Sequence, residues 1–274
     1  MALTLQQIVS ETRARLASDT RPVRRRELER LAAEHKPRGF RHRLLRVSEN
    51  GPAVIAELKK ASPSRGLIRE DFPVSELARE LEQAGAAALS VLTEERYFQG
   101  SLENLRTASQ ATALPCLRKD FIVDELQLLE ARAYGADAAL LIVAALSDEE
   151  LKTLAAAARE FELDVLCEVH DVQELRRAID AGLDTLGVNN RDLHTFAVTL
   201  ETSLRLSGLM PAHVLRVAES GIQSGEDIAR LRAAGYQAFL IGESLMKQTH
   251  PGKALSGLLA DAERESRKAE VARP

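Results

Sequence analysis

Residues 137–182 read DAALLIVAALSDEELKTLAAAAREFELDVLCEVHDVQELRRAIDAG. Two apolar runs, DAALLIVAAL (137–146) and DVLCEVH (164–170), alternate with two helical patterns, SDEELKTLAAAAREF (147–161) and DVQELRRAIDAG (171–182). Runs rich in Val, Leu and Ala mark strands covered on both faces, as in a parallel sheet. DVQELRRAIDAG opens on Asp and closes on Gly, the residues expected at helix ends.

The same unit recurs outward from this stretch. Before it come AVIAELKK with SELARELEQAG, AALSVLT with SLENLRTASQA, and LPCLRKDF with DELQLLEARAYGA. After it come TLGVNN with ETSLRLSGL, HVLRVAES with SGEDIARLRAAG, and QAFLIGES with a short helix-like tail. Eight strand–helix units in succession predict a (βα)8 TIM barrel. An open doubly wound sheet is the structural alternative, but no GxGxxG follows the first strand. Residues 1–48 precede the rhythm as an N-terminal helical extension. Leu5, Ile8, Val9, Thr12 and Leu16 keep helical spacing there, and a second helix runs from about Val23 to His35 before KPRGF breaks it. The basic run RPVRRRELER reads as a solvated helix face. Residues 49–274 form the barrel, and the whole is expected to be one domain.

Composition narrows the function. The 274 residues are 45% hydrophobic and 28% charged, with a net charge of -4. That balance disfavours a nucleic-acid partner, which calls for a basic face. The longest apolar run, 138–146, is too short to span a bilayer, and the N-terminus has no apolar signal core. A soluble, cytoplasmic protein with no membrane partner is expected. The two cysteines, Cys116 and Cys167, fall inside apolar runs and read as buried thiols, with no metal-ligand spacing.

Barrel chemistry sits at the C-terminal ends of the strands, and polar residues accumulate there. Strand alternation puts Val54, Ala56 and Leu58 on the helix-facing side, and Glu57 and Lys59 on the inner side. By the same parity Glu168 and Asn189 point inward, and Lys119 shares the face of Leu117. With Glu219, two lysines and several carboxylates converge on one mouth. So many charges are costly to bury unless paired, which favours a site over a set of unrelated structural pairs. Gly221 in AESGI and Gly242 in LIGES follow the last two strands, the usual phosphate position of this fold. The Glu243 carboxylate is expected to turn away from that phosphate, leaving its backbone N–H to contribute. The residues alone predict a small phosphorylated substrate and proton-transfer chemistry, whether isomerisation, elimination or carbon–carbon rearrangement.

VIAELKKASPSRG (54–66), SVLTEERYFQGS (90–101), LRKDFIVD (117–124), CEVHD (167–171), GVNNRDLHTF (187–196), AESGI (218–222) and LIGESLM (240–246) together resemble the indole-3-glycerol phosphate synthase family over nearly the whole chain. The resemblance implies closure of the indole ring in tryptophan biosynthesis. The substrate would be 1-(2-carboxyphenylamino)-1-deoxyribulose 5-phosphate, and carbon dioxide and water would be lost without metal or cofactor. It implies Lys119 as the general acid at the C2′ carbonyl oxygen and Glu168 as the acid–base partner in dehydration. Lys59 would pair with substrate anions, and the split of acid duty between the two lysines stays open. Glu57 would orient either lysine, Asn189 and Glu219 would support the network, and Arg191 lies in the matching polar loop. Ser62, Gly221 and Gly242, with the backbone around Ser220 and Glu243, would hold the phosphate, and Phe98 and Phe121 the anthranilate ring. The extension would fold over the barrel mouth, so that deleting it weakens substrate binding. Loose association with other tryptophan-pathway enzymes is a further expectation. The chain departs from the family pattern at Leu126, where tyrosine is frequent, at Thr199, where aspartate is, and at Glu243, which is serine in some relatives.

Two other readings compete. Phosphoribosylanthranilate isomerase needs a Cys/Asp pair, and Cys116 has the wrong parity; the tryptophan synthase α-subunit does not call for the Lys59/Lys119 pair. A noncatalytic barrel would bind without turnover, yet binding alone does not require a presented acid and base together.

Overall fold

The computed structural model of the chain describes residues 4–17, 21–193 and 195–271. Eight strands form the barrel: β1 (Ala53–Leu58), β2 (Ala88–Leu92), β3 (Cys116–Lys119), β4 (Ala138–Ile142), β5 (Asp164–Val169), β6 (Thr185–Asn189), β7 (Leu215–Glu219) and β8 (Ala238–Ile241). Each pairs in parallel with the next, and β8 pairs with β1, so the sheet closes. This is the TIM barrel expected from the repeated units. The alternation in the sequence becomes two apolar layers. Ile55, Leu117, Leu140, Leu166, Val217 and Leu240 fill the barrel interior. Val54, Ala56, Cys116, Leu141, Cys167 and Phe239 pack outward under the helices.

The outer helices are α4 (Val74–Gln83), α5 (Leu102–Ala111), α6 (Glu125–Ala133), α7 (Asp148–Glu160), α8 (Val172–Asp180), α9 (Glu201–Ser207), α10 (Gly225–Ala233), α11 (Glu243–Met246) and α12 (Pro251–Val271). Their starts follow from side-chain caps. Ser147 and Glu150 form a reciprocal capping box on α7, and Ser224 and Asp227 do so on α10. The tail is longer than the short helix expected. α12 spans 21 residues, packs against α4 and α10, and buries Leu255 and Ala262.

The N-terminal extension divides between the two ends of the barrel. Helix α1 (Leu5–Ala17) lies at the mouth, where Leu5 and Ile8 line the central cavity. Helix α2 (Arg21–Glu34) runs along α6, with Leu28 and Ala32 against Leu126, Leu129 and Ala133. KPRGF does break this helix, but a further helix follows, α3 (Phe40–Ser48), which the sequence reading had not resolved. Its Phe40 and Leu44 are fully buried and join the interior cluster from below. Arg41 bonds Asp164 and the carbonyl of His213, and pairs with Asp184, all beside the N-terminal ends of strands. Arg38 pairs with Asp137 and donates to the carbonyls of Ser109, Thr112 and Gly135. So α3 closes the end opposite the mouth, while among the described residues of the extension Thr4, with Leu5 and Ile8 of α1, reaches the central cavity.

Truncating a buried leucine leaves a cavity and costs about 2–5 kcal/mol. Leu44→Ala is therefore expected to lower the unfolding free energy by about that amount in denaturant titration. A loss below about 1 kcal/mol would show that α3 is peripheral to the barrel core.

Candidate active site

Glu57, Lys59, Lys119, Glu168, Asn189 and Glu219 come from the ends of five different strands and line one cavity of about 800 Å³. The same cavity is lined by Ser62, Phe98, Phe121, Arg191, Ser220, Gly221, Gly242 and Glu243. Every residue singled out from the sequence as a site candidate thus faces one space. Phe98 and Phe121 stand on one wall with ring centroids 6.2 Å apart and planes tilted by 46°.

Lys119 is the hub. Its Nζ donates to Glu168 Oε2 at 2.8 Å and to Glu219 Oε2 at 2.7 Å. Burial alone would lower its pKa, but Glu168, Glu219 and Glu57 outweigh that and raise it. Glu57 itself pairs directly with Lys59, not with Lys119. The two carboxyls on Lys119 differ. Burial pushes both up, but Lys119 and His170 hold Glu168 well below the usual carboxylate range. Glu168 also accepts from Asn189 Nδ2 at 3.1 Å. For Glu219, burial prevails and moves the carboxyl up to about 7, with Lys119 opposing and Glu168 assisting. Its Oε1 is buried without a hydrogen-bond partner among the described residues.

Two glycines make room for these acids. A Cβ at Gly187 would lie 2.1 Å from Glu219 Oε1, and one at Gly242 would lie 2.4 Å from Glu57 Oε1. Gly242 is therefore required by its neighbour Glu57. The turn after β7 is different in kind. Ser220 and Gly221 take φ of 62° and 80°, a left-handed pair that a non-glycine residue enters only under constraint. Asn190 supplies that constraint. Its Nδ2 donates to the carbonyls of Glu219 and Ser220, and its Oδ1 accepts from Ser203.

The sequence reading missed three supports. Asn190 is one. His170 is the second: its Nδ1 lies 2.9 Å from Glu174 Oε2, and its Nε2 lies 3.3 Å from Glu168 Oε1 as an ion pair outside hydrogen-bond angles. The i,i+4 spacing of His170 and Glu174 across a helix start was the available signal. The third is Arg118. It points away from the mouth, is 2% exposed, and bonds Asp120, Thr93, Glu130 and the carbonyl of Gln127. Asp120 in turn accepts the backbone N–H of Phe121 at 2.8 Å. Among the described residues no cluster of His, Cys, Asp or Glu is arranged to hold a metal ion.

A closed parallel barrel with paired acids and bases at the C-terminal strand ends defines a (βα)8-barrel enzyme. Solved structures agree on the fold. 3-Hexulose-6-phosphate synthase matches with a TM-score of 0.62 at 14% identity, over 76% of this chain and 99% of that one. Thiamine phosphate pyrophosphorylase from Pyrococcus furiosus matches with 0.59 at 18%, over 80% and 98%. The family model for indole-3-glycerol phosphate synthase matches residues 5–258. Indole-3-glycerol phosphate synthase from Koribacter versatilis is 60% identical over 94% of this chain and 100% of its own length. The enzyme of that name from Acidithiobacillus ferrooxidans is 49% identical over 94% and 98%. The chain belongs to the indole-3-glycerol phosphate synthase family, and is a decarboxylating lyase of tryptophan biosynthesis acting on a small phosphorylated substrate.

His170 yields a pH prediction. Burial disfavours its charge, but Glu168 and Glu174 outweigh burial and raise the pKa from 6.5 to about 10. Between those values the folded protein holds a proton that the unfolded chain releases, so this contribution is full below pH 6.5 and lost by about pH 10. Denaturant unfolding at pH 6.5 and pH 10 should show a smaller decline for His170→Gln than for wild type. An equal decline would mean that the native imidazole is neutral.

Proposed function

We propose that Lys119 and Glu168 carry the acid–base steps by which this enzyme closes the indole ring of 1-(2-carboxyphenylamino)-1-deoxyribulose 5-phosphate. The observation that carries the reading is the position of Lys119, a buried ammonium at a rigid strand end, bonded to two carboxylates from other strands. In the first step the ring carbon bearing the carboxylate attacks C2′, and the C2′ carbonyl oxygen takes a proton from Lys119. Carbon dioxide then leaves and its bonding pair restores the aromatic ring. In the last step the C2′ hydroxyl departs as water, taking a second proton from Lys59 or from Lys119 once it has been reprotonated, and Glu168 accepts the proton lost from C1′. A lysine kept charged suits the donor, because the developing alkoxide is far more basic than an amine. A carboxylate held ionised by Lys119, His170 and Asn189 suits the acceptor.

Lys59, steadied by Glu57, takes the substrate carboxylate or shares the donor role, while Asn189 and Glu219 keep Glu168 and Lys119 in register. Phe98 and Phe121 flank the anthranilate ring. Ser62, Arg191 and the backbone of Ser220, Gly221, Gly242 and Glu243 take the phosphate. Residues 1–48 and the barrel form one domain, and Leu5 and Ile8 of α1 cover the bound substrate. The reading includes a cytoplasmic location, supported by a charged, phosphorylated substrate, and loose association with other enzymes of the pathway.

Turnover followed by indole fluorescence tests the roles. Losing a positioned proton donor costs about 10²–10⁴-fold, so Lys119→Met should fall by that factor while retaining substrate binding. Activity surviving in that variant would move the donor to Lys59. Removing residues 1–17 takes away α1 and leaves the α3 plug. Apolar contacts of this size are worth about 1–3 kcal/mol, so KM should rise roughly tenfold or more. An unchanged KM would remove the covering role.

A further inference from the structure

We propose that Glu243 is the resident occupant of the phosphate subsite, and that substrate binds there by displacing its carboxylate. The proposal rests on the reading that this corner of the cavity receives a phosphate. The Glu243 carboxylate, expected to turn away from a bound phosphate, pairs here with three cations that line the cavity. Its Oε1 lies 3.1 Å from Arg65 Nε and 2.5 Å from Lys247 Nζ, and its Oε2 lies 3.8 Å from Arg191 Nη2. The three cations come from the hairpin after β1, the segment following α11 and the loop after β6, and all of them line the cavity. One carboxylate thus gathers the cations of three separate segments around the space beside Gly221 and Gly242.

These pairs are of the exchangeable kind. The side chains of Arg65, Lys247 and Arg191 are 58%, 46% and 27% exposed. Ion pairs with that access to water contribute little. A phosphate monoester carries nearly two charges and three strong acceptor oxygens, and accepts both N–H groups of an arginine fork. It therefore displaces a single carboxylate from the same cations, whereas a weaker anion does not. Arg65 stands in the turn between the short strands Ala61–Ser62 and Gly66–Leu67, next to Ser62 on the cavity wall. Transfer of Arg65 from Glu243 to the phosphate draws that hairpin over the ligand. Glu243 acts as a threshold: it keeps the cations assembled in the empty site and sets how strong an anion must be to enter.

The test is a sign. Inorganic phosphate is titrated calorimetrically into the full-length wild type, Glu243→Gln, and the Arg65→Gln/Glu243→Gln double variant, each checked for an unchanged thermal transition. Displacement predicts that Glu243→Gln binds phosphate roughly fivefold more tightly than wild type, with KM for substrate moving the same way. The double variant should lose that gain, because Arg65 is the group released. Phosphate affinity that is unchanged or weaker in Glu243→Gln overturns the proposal, since the carboxylate would then merely orient its cations. Undetectable phosphate binding in both the wild type and Glu243→Gln overturns it as well. Failure of wild type to turn over 1-(2-carboxyphenylamino)-1-deoxyribulose 5-phosphate would instead sink the functional reading itself.

Discussion

Lys119 between Glu168 and Glu219 is the interaction around which the rest of the mouth is arranged. Three ionisable groups with side chains no more than 13% exposed would each cost several kcal/mol to bury alone. The barrel makes the burial tolerable by geometry. Inward positions on β3, β5 and β7 place the ammonium where it reaches both carboxyls. Gly187 on the intervening β6 leaves the volume that the Glu219 side chain occupies. Below this layer the interior is mainly apolar and ends on Phe40 and Leu44, with Ser90 and Thr185 among the few buried polar residues. The charges are thus held at one level above a packed interior.

The stretch PCLRKDF shows how a single strand serves both of its faces. Lys119 points in and joins the charged layer. Arg118 points out and is tied to Asp120, Thr93 and Glu130. Glu130 also pairs with Arg24 of α2, so the strand that presents Lys119 is braced against α6 and the N-terminal extension. Asp120 fixes the backbone at Phe121, which places an aromatic ring on the cavity wall. Three consecutive charges at a strand end are the proposed proton donor and its two-residue brace. The brace is itself a buried ion pair, and Arg118 meets its cost with hydrogen bonds from every nitrogen of its guanidinium.

Period-two alternation made the barrel and the inward set legible, because each strand in a closed sheet has only two faces. Glu57, Glu168 and Asn189 could be assigned inward from their neighbours alone. Pairings between strands could not, since alternation says which face a side chain takes and nothing about its partner. That is why Glu57 stood as a support for either lysine until the structure gave it to Lys59. Gly242 read as a phosphate glycine, while its contact with Glu57 depends on β1 lying beside β8. The α3 plug was hidden for a similar reason. FRHRLLRVS carries only a few apolar residues and four basic ones. Its anchors, Asp164 and Asp184, lie more than a hundred residues away.

The site is graded in how firmly its charges are held. Around Lys119 the pairs are buried and multiply bonded, which would keep the proposed donor and acceptor in place when substrate arrives. At the rim, Arg65 and Lys247 reach water, Arg191 is half-buried, and the three share one carboxylate. Catalysis needs groups that do not move, because a proton must pass over a fraction of an ångström at a fixed angle. Binding a phosphate needs the opposite, since cations fixed rigidly in an empty site would repel one another and destabilise the fold. Placing the immovable pairs at the strand ends and the exchangeable pairs on the loops satisfies both demands. Strand ends are rigid because the barrel closes on itself, and the segments that carry Arg65 and Arg191 are surface connections, which are free to yield further.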